Sequence, residues 1–154
     1  MIKQTIFASF LSAGLLFTGC HSIQNSLPST HTALNLAQLE NRTWVATQIG
    51  NNPIKTSPTA RNIPSLQFDA ATKRVSGSDG CNRLMGTYTV KKDQLEFGEL
   101  MGTQMACLEG NNLDAEFNEA LSKVTHFQVY NKSLKLLDRY GNPLIHFESA
   151  VQPR

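Results

Sequence analysis

Leu113-Asp114-Ala115-Glu116-Phe117-Asn118-Glu119-Ala120-Leu121-Ser122-Lys123-Val124 is the stretch whose reading decides the fold. Leu113, Phe117, Leu121 and Val124 recur at steps of four, four and three, which lines one face of a helix with apolar side chains. Asn111 or Asn112 can cap the first turn, and Asp114 and Glu116 suit its positive end. Lys123 and His126 suit the last turn. No other stretch beyond the N-terminal segment carries so clear a helical period.

Everything around this helix reads as strand. Thr43–Ile49 is rich in β-branched and aromatic residues and is stopped by Gly50-Asn51-Asn52-Pro53. Lys55–Pro64 carries two prolines and reads as loop. Leu66–Phe68, Arg74–Gly77, Thr87–Val90 and Leu95–Phe97 follow as short extended segments with turns at Asp69–Lys73 and Lys91–Asp93. Thr103–Cys107 is a further candidate strand. After the helix come Phe127–Tyr130, Ser133–Leu137 and Leu144–Phe147, with turns at Asn131-Lys132 and Tyr140-Gly141-Asn142. Strands, one helix and strands exclude a doubly wound sheet, which needs helices alternating with strands. The expected class is α+β, mainly antiparallel: a small, partly open β-barrel or half-barrel with one packed amphipathic helix covering an opening.

The N-terminus has a separate logic. Lys3 supplies a positive charge, Ile6–Phe17 is apolar or small, and Leu16-Phe17-Thr18-Gly19-Cys20 closes the run. This reads as a signal peptide over residues 1–19, because the apolar core is about a dozen residues and a membrane span needs about 20. Cys20 after Thr-Gly resembles the lipobox of bacterial lipoproteins, with Phe17 where Leu is usual. That resemblance implies an acylated, palmitate-bearing Cys20 as the lipid attachment point. Residues 20–37 are rich in Ser, Thr, Asn and His and read as a flexible tether. The domain is expected over 38–150.

Composition narrows the functions. Without Lys3, the Lys and Arg exceed the twelve Asp and Glu by one, and they are scattered. No basic stripe points to nucleic acid. Cys81 and Cys107, an even pair in an exported chain, are expected to form a disulfide. Such a bridge typically stabilises by about 2–4 kcal/mol. Their spacing is not that of a zinc site, and His126 and His146 stand far off.

Gly77-Ser78-Asp79-Gly80-Cys81-Asn82 draws attention as a motif. It is not a nucleophile elbow, which needs G-x-S-x-G on a strand-to-helix turn, and it is not a phosphate loop. A turn that places Cys81 is the simpler reading. Asp79, Glu96, Glu99 and Glu109 read as surface carboxylates rather than a catalytic pair. His126 and His146 read as hydrogen-bonded structural side chains. Met101 and Met105 beside Cys107 suggest copper(I), but core filling explains them more simply. No catalytic residue, cofactor site or metal site is assigned.

The combination resembles the META domain, the HslJ-like family of heat-shock and envelope proteins. It is carried by Trp44, Gly77-x-x-Gly80-Cys81-Asn82, Gly86-x-Tyr88, Leu95-x-Phe97, Thr103-x-Met105-Ala106-Cys107, Glu116-Phe117, Leu121, Leu134-x-Leu136-x-Asp138 and Gly141-x-x-Leu144. The resemblance spans about Leu39 to Phe147. It implies a compact β-rich barrel with a helix, and it marks Gly80, Cys81, Asn82 and Cys107 as family motif positions without assigned chemistry. It also implies links to heat shock, drug resistance, motility and virulence. Some members resemble secretion pilotins, and bacterial members are often envelope lipoproteins.

Two functions compete. The first is a non-enzymatic envelope lipoprotein that faces the periplasm, is held to the membrane by lipid on Cys20, and binds a partner protein or an apolar ligand. His21 after Cys20 resembles outer-membrane sorting. The second is an envelope hydrolase or redox enzyme using the Cys81 region. The lack of a nucleophile–base arrangement, metal spacing or cofactor loop in the sequence favours the first.

Overall fold

The computed structural model describes residues 30–55, 63–105 and 112–150, with side chains described from Asn35 onward. The elements in chain order are α1 (Thr30–Leu39), β1 (Thr43–Ile49), β2 (Asn52–Pro53), β3 (Ser65–Asp69), β4 (Arg74–Ser78), β5 (Arg83–Lys91), β6 (Gln94–Phe97), β7 (Met101–Gly102), α2 (Leu113–Ser122), β8 (His126–Tyr130), β9 (Ser133–Leu137) and β10 (Pro143–Ser149). All strand pairings are antiparallel, and the path β1-β3-β4-β5-β6-β8-β9-β10 returns to β1. The expected α+β barrel is therefore what forms, and its circuit closes. β10 meets β1 from Trp44↔Ser149 to Ile49↔Ile145, with a bulge between Ala46 and Gln48.

One seam of this circuit is thin. β6 meets β8 at the single register pair Gln94↔His126. Leu95 N–H donates to Thr125 O at 2.9 Å, and Phe127 N–H donates to Asp93 O at 2.9 Å. Beyond that point the chain from Phe97 to Gly102 follows β5 on one side. Its other edge carries no strand among the described residues.

Alternation fills the interior. In β3, Leu66 and Phe68 are buried between exposed or half-buried neighbours, and β8 repeats the pattern with Phe127 and Val129. Trp44, Phe68, Tyr88, Leu95, Leu134, Leu136, Ile145 and Phe147 join them inside. Eight strands enclose a space just wide enough for side chains, so the barrel is a packed core rather than a channel. Gly77 permits the β3–β4 contact, because a Cβ there would stand 1.9 Å from Ser65 O.

The two helices sit at opposite ends. α2 packs against β1 and β10 and buries Phe117, Ala120 and Leu121, as its spacing predicts. Phe117 meets Phe147 edge-on, with centroids 6.1 Å apart. Asn112 precedes the helix without a side-chain cap; its carbonyl accepts from Glu116 N–H at 2.9 Å instead. Lys123 closes the helix and pairs with Glu119 at 2.7 Å.

α1 departs from the expected tether over 20–37: the chain is helical from Thr30 and packs against β8. Helix formation in so short a segment depends on tertiary burial rather than propensity, and that burial comes from Leu39, which is fully enclosed. Immediately after it, the buried Glu40 accepts hydrogen bonds from Tyr88 Oη and Lys73 Nζ. Trp44 Nε1 donates to Leu39 O at 2.8 Å. Burial, followed by the Glu40 contact, pushes the Tyr88 phenol well above its usual range.

The expected strand at Thr103–Cys107 is displaced. The strand is Met101–Gly102; Thr103–Met105 is irregular, and Ala106 and Cys107 lie outside the described residues. Met101 and Met105 are not core filler. They are 62 % and 55 % exposed, because β7 lies on the outer rim of β5, where Met85, the register partner of Met101, is exposed too.

Because Phe117 is wholly enclosed in a packed interior, Phe117→Ala should cost about 3–5 kcal/mol in a denaturant titration. A loss below about 1 kcal/mol would show that the interior behind α2 is loosely filled.

Candidate functional site

The motif residues form one hydrogen-bonded knot at the α2 end of the barrel. β4 and β5 are joined by the turn Asp79–Asn82, and Asp79 is 1 % exposed. Its Oδ1 accepts from Cys81 N–H at 2.9 Å and Asn82 N–H at 2.6 Å. Its Oδ2 accepts from Asn118 Nδ2 at 2.9 Å and faces Asn82 Nδ2 at 3.4 Å. Asp79 N–H closes the turn by donating to Asn82 O at 3.1 Å. Gly80 holds φ at +100°, the left-handed region that favours glycine, and a Cβ there would also press on Pro64 and Leu113. Burial raises the Asp79 pKa, but the Asn82 and Cys81 backbone donors and the Asn118 and Asn82 side chains outweigh it and hold the carboxyl below its usual range.

Asn82 carries the knot onward. Its Oδ1 accepts from Met105 N–H at 2.8 Å and faces Thr103 Oγ1 at 3.4 Å. Thr103 accepts Arg83 N–H at 3.1 Å and donates its own N–H to Arg83 O at 3.1 Å. The two separated sequence signatures, around Cys81-Asn82 and around Met105, are thus one unit in space. Cys81 Sγ lies 3.8 Å from Met105 O. Cys107, the proposed partner of Cys81, lies outside the described residues, as does Cys20.

Beside this knot lies a cleft of about 500 Å³ between α2 and the β5–β7 edge. Leu84, Phe97, Leu100, Leu121 and Val124 supply apolar wall; Asn82, Thr103, Gln104, Asn118 and Ser122 supply polar rim. The other acids and the histidines that the sequence singles out stay dispersed. Glu96 and Glu99 are exposed. Glu109 lies outside the described residues. His126 Nδ1 sits 2.9 Å from Thr125 Oγ1. His146 is half-buried opposite Lys135, and burial followed by the Lys135 charge lowers its pKa. Among the described residues, no group of three or more His, Cys, Asp or Glu is placed to hold a metal.

Asn118 is the member of the knot that sequence reasoning missed. Its only signal is an Asn in mid-helix beside the apolar Phe117, a residue type disfavoured there unless its amide has a partner.

A closed antiparallel barrel with a helix at each end, one of them pinned through a buried Asp–Asn turn, defines the structural class. The sequence model of the META domain matches residues 37–151, and the chain belongs to that family. No curated protein matches the sequence. Solved structures with this fold include an NMR structure of a protein from Burkholderia xenovorans, 22 % identical, with a TM-score of 0.60 over 95 % of this chain and all of that one. Another is a crystal structure of a DUF4847 family protein from Bacteroides vulgatus, 18 % identical, with a TM-score of 0.54 over 75 % of this chain and 96 % of that one.

The Asp79 arrangement predicts both a cost and a pH signature. Asp79→Ala strands several buried donors and should destabilise by about 3 kcal/mol. Because the folded pKa is depressed, Asp79 contributes stability that is present above about pH 4, the unfolded value, and is lost as pH falls through the folded value. Asp79→Asn should flatten the acid side of the stability–pH curve measured by urea melts at pH 2–5. An unchanged curve would contradict the assignment.

Proposed function

We propose that the chain is a non-catalytic lipoprotein of the cell envelope that holds a segment of a partner protein in the cleft between α2 and the β5–β7 edge. The supporting observation is the cleft itself, which runs beside the Phe97–Gly102 segment, paired with β5 on one side and with no described strand on the other. An extended segment can satisfy such an edge through its own backbone while placing side chains against Leu100, Leu121 and Val124. A partner protein fits this lining better than an apolar ligand does, because the barrel interior is already filled and the rim is polar.

Lipid on Cys20 would tether the domain on the periplasmic side, in line with the lipobox-like end of the N-terminal segment. The enzymatic alternative, a hydrolase or redox protein working through the Cys81 region, has less support. Asp79 spends its acceptors on the turn and on α2, and Cys81 N–H is one of the donors that hold it.

The disulfide between Cys81 and Cys107 belongs to the same proposal. Met105 already lies against Cys81, and Cys107 follows two residues later, within about 7 Å of chain. A bridge there would lock the Asn82–Met105 connection covalently. Thiol titration of the exported protein should find neither cysteine reactive until reductant is added; two reactive thiols in the native protein would refute it.

The cleft is tested by placing a photo-crosslinking residue at exposed Ser122 on its rim. One discrete protein adduct should form in cells, and Gln104→Trp, which fills the cleft from its exposed rim, should abolish it without changing the melting temperature. An adduct insensitive to Gln104→Trp, or none at all, would overturn the reading.

A further inference from the structure

The barrel is electrically lopsided along its axis. The β3–β4 turn, the β5–β6 turn and the β8–β9 turn all lie at the end that α1 and Glu40 occupy. They bring exposed Lys73, Arg74, Lys91, Lys92 and Lys132 to that end. Arg42 stands there as well, over the Trp44 ring at 5.5 Å and donating to Asn131 O at 3.0 Å. The acids at this end are fewer and partly committed. Glu40 is buried under Lys73, and the Asp69 carboxylate accepts from Ala71, Thr72 N–H and Thr72 Oγ1 within its own turn. Asp93, Glu148 and Glu96, the last opposite Thr89 just inside the β5–β6 turn, complete the described set. At the α2 end the balance reverses: Glu99, Asp114, Glu116, Glu119 and Asp138 join the buried Asp79, against Lys55, Arg83, Lys123 and Arg139.

The basic end also carries Tyr130, 77 % exposed at the lip of the β8–β9 turn and next to Lys132 along that rim. A tyrosine ring held in water beside a lysine suits the headgroup layer of a bilayer, where its apolar body and polar tip are both accommodated. The chain enters the barrel at this same end through α1.

We propose that this end is a bilayer-facing surface, with its Lys and Arg side chains meeting anionic phospholipid headgroups and the Tyr130 ring entering the headgroup layer. The orientation rests on the Cys20 tether proposed above. Residues 20–30 span at most about 35 Å whatever path they take, so a tethered domain stays close to the membrane and the charge asymmetry decides which end faces it. Each basic residue near an anionic surface strengthens binding about fivefold, and the attraction fades beyond a Debye length of about 8 Å. The cleft, at the α2 end, would then face away from the membrane and toward partners.

The test uses the full chain as processed in bacterial cells, mixed with vesicles of phosphatidylcholine alone or of phosphatidylcholine and phosphatidylglycerol at about 3:1. A photo-crosslinking residue replaces Tyr130, or Tyr140 at the opposite end as control. Phosphatidylglycerol adducts at position 130 should exceed those at 140 by about tenfold. They should fall about tenfold in Lys91→Glu/Lys92→Glu/Lys132→Glu, and should be unmoved by Lys55→Glu/Arg139→Glu. Equal adducts at the two positions, or equal effects of the two sets of charge reversals, would overturn the proposal. Flotation with neutral vesicles reads the tether separately, and its failure would refute lipid on Cys20. In that event anionic vesicles alone must still float the protein, or the bilayer-facing surface fails too.

Discussion

A buried carboxylate must find donors, and in this protein the way Asp79 finds them organises one end of the barrel. An ionised group removed from water costs several kcal/mol unless hydrogen bonds replace its hydration. Asp79 meets that demand with two backbone N–H groups of its own turn and the Asn118 amide of α2. The turn therefore takes one shape, α2 takes one position, and Asn82 is left with its oxygen facing the Thr103–Met105 segment. The wall, the rim and the helix flank of the cleft are all placed by this single satisfied charge.

The opposite end repeats the device with different parts. Glu40 is enclosed at the α1–β1 junction and satisfied by Tyr88 and Lys73, from β5 and the β3–β4 turn. Lys73 keeps half its side chain in water, so this pair is a screened contact whose energetic weight is small. Its effect is positional: it fixes where the chain arrives from α1 and enters β1. Each end of the barrel thus spends one buried acid on the attachment of one helix, while the apolar interior between them supplies most of the stability.

Much of the fold was legible because period and chemistry agreed. Leu113, Phe117 and Leu121 announce a helix, and the alternation in β3 and β8 announces strands with one buried face. What was not legible depends on contacts distant in sequence. α1 is short and polar, and its helicity rests on Leu39 reaching a core built from residues that come later in the chain. Closure between β1 and β10 joins segments about a hundred positions apart, which no local pattern encodes. At the site, the glycine-bracketed turn was readable from Gly77 to Asn82, but its buried acid was not. Asp79 resembles a surface aspartate until Asn118, thirty-nine positions away, is known to face it.

The thin seam and the knot explain each other. A barrel with a complete β6–β8 ladder would have no cleft, because hydrogen bonds would join the strands where α2 now stands apart from the Phe97–Gly102 edge. Leaving that outer edge unladdered forfeits several backbone hydrogen bonds of about 1 kcal/mol each, and it leaves β7 with its short ladder to β5 alone. Thr103 and Met105, just beyond β7, are held instead by Arg83 and Asn82. The knot thus adds to that ladder, from side chains, the restraint that a second neighbouring strand would have supplied from backbone, and the outer side has no strand partner among the described residues. An extended segment docking there, as proposed above, would meet an edge already in place, which would keep the entropic cost of association low.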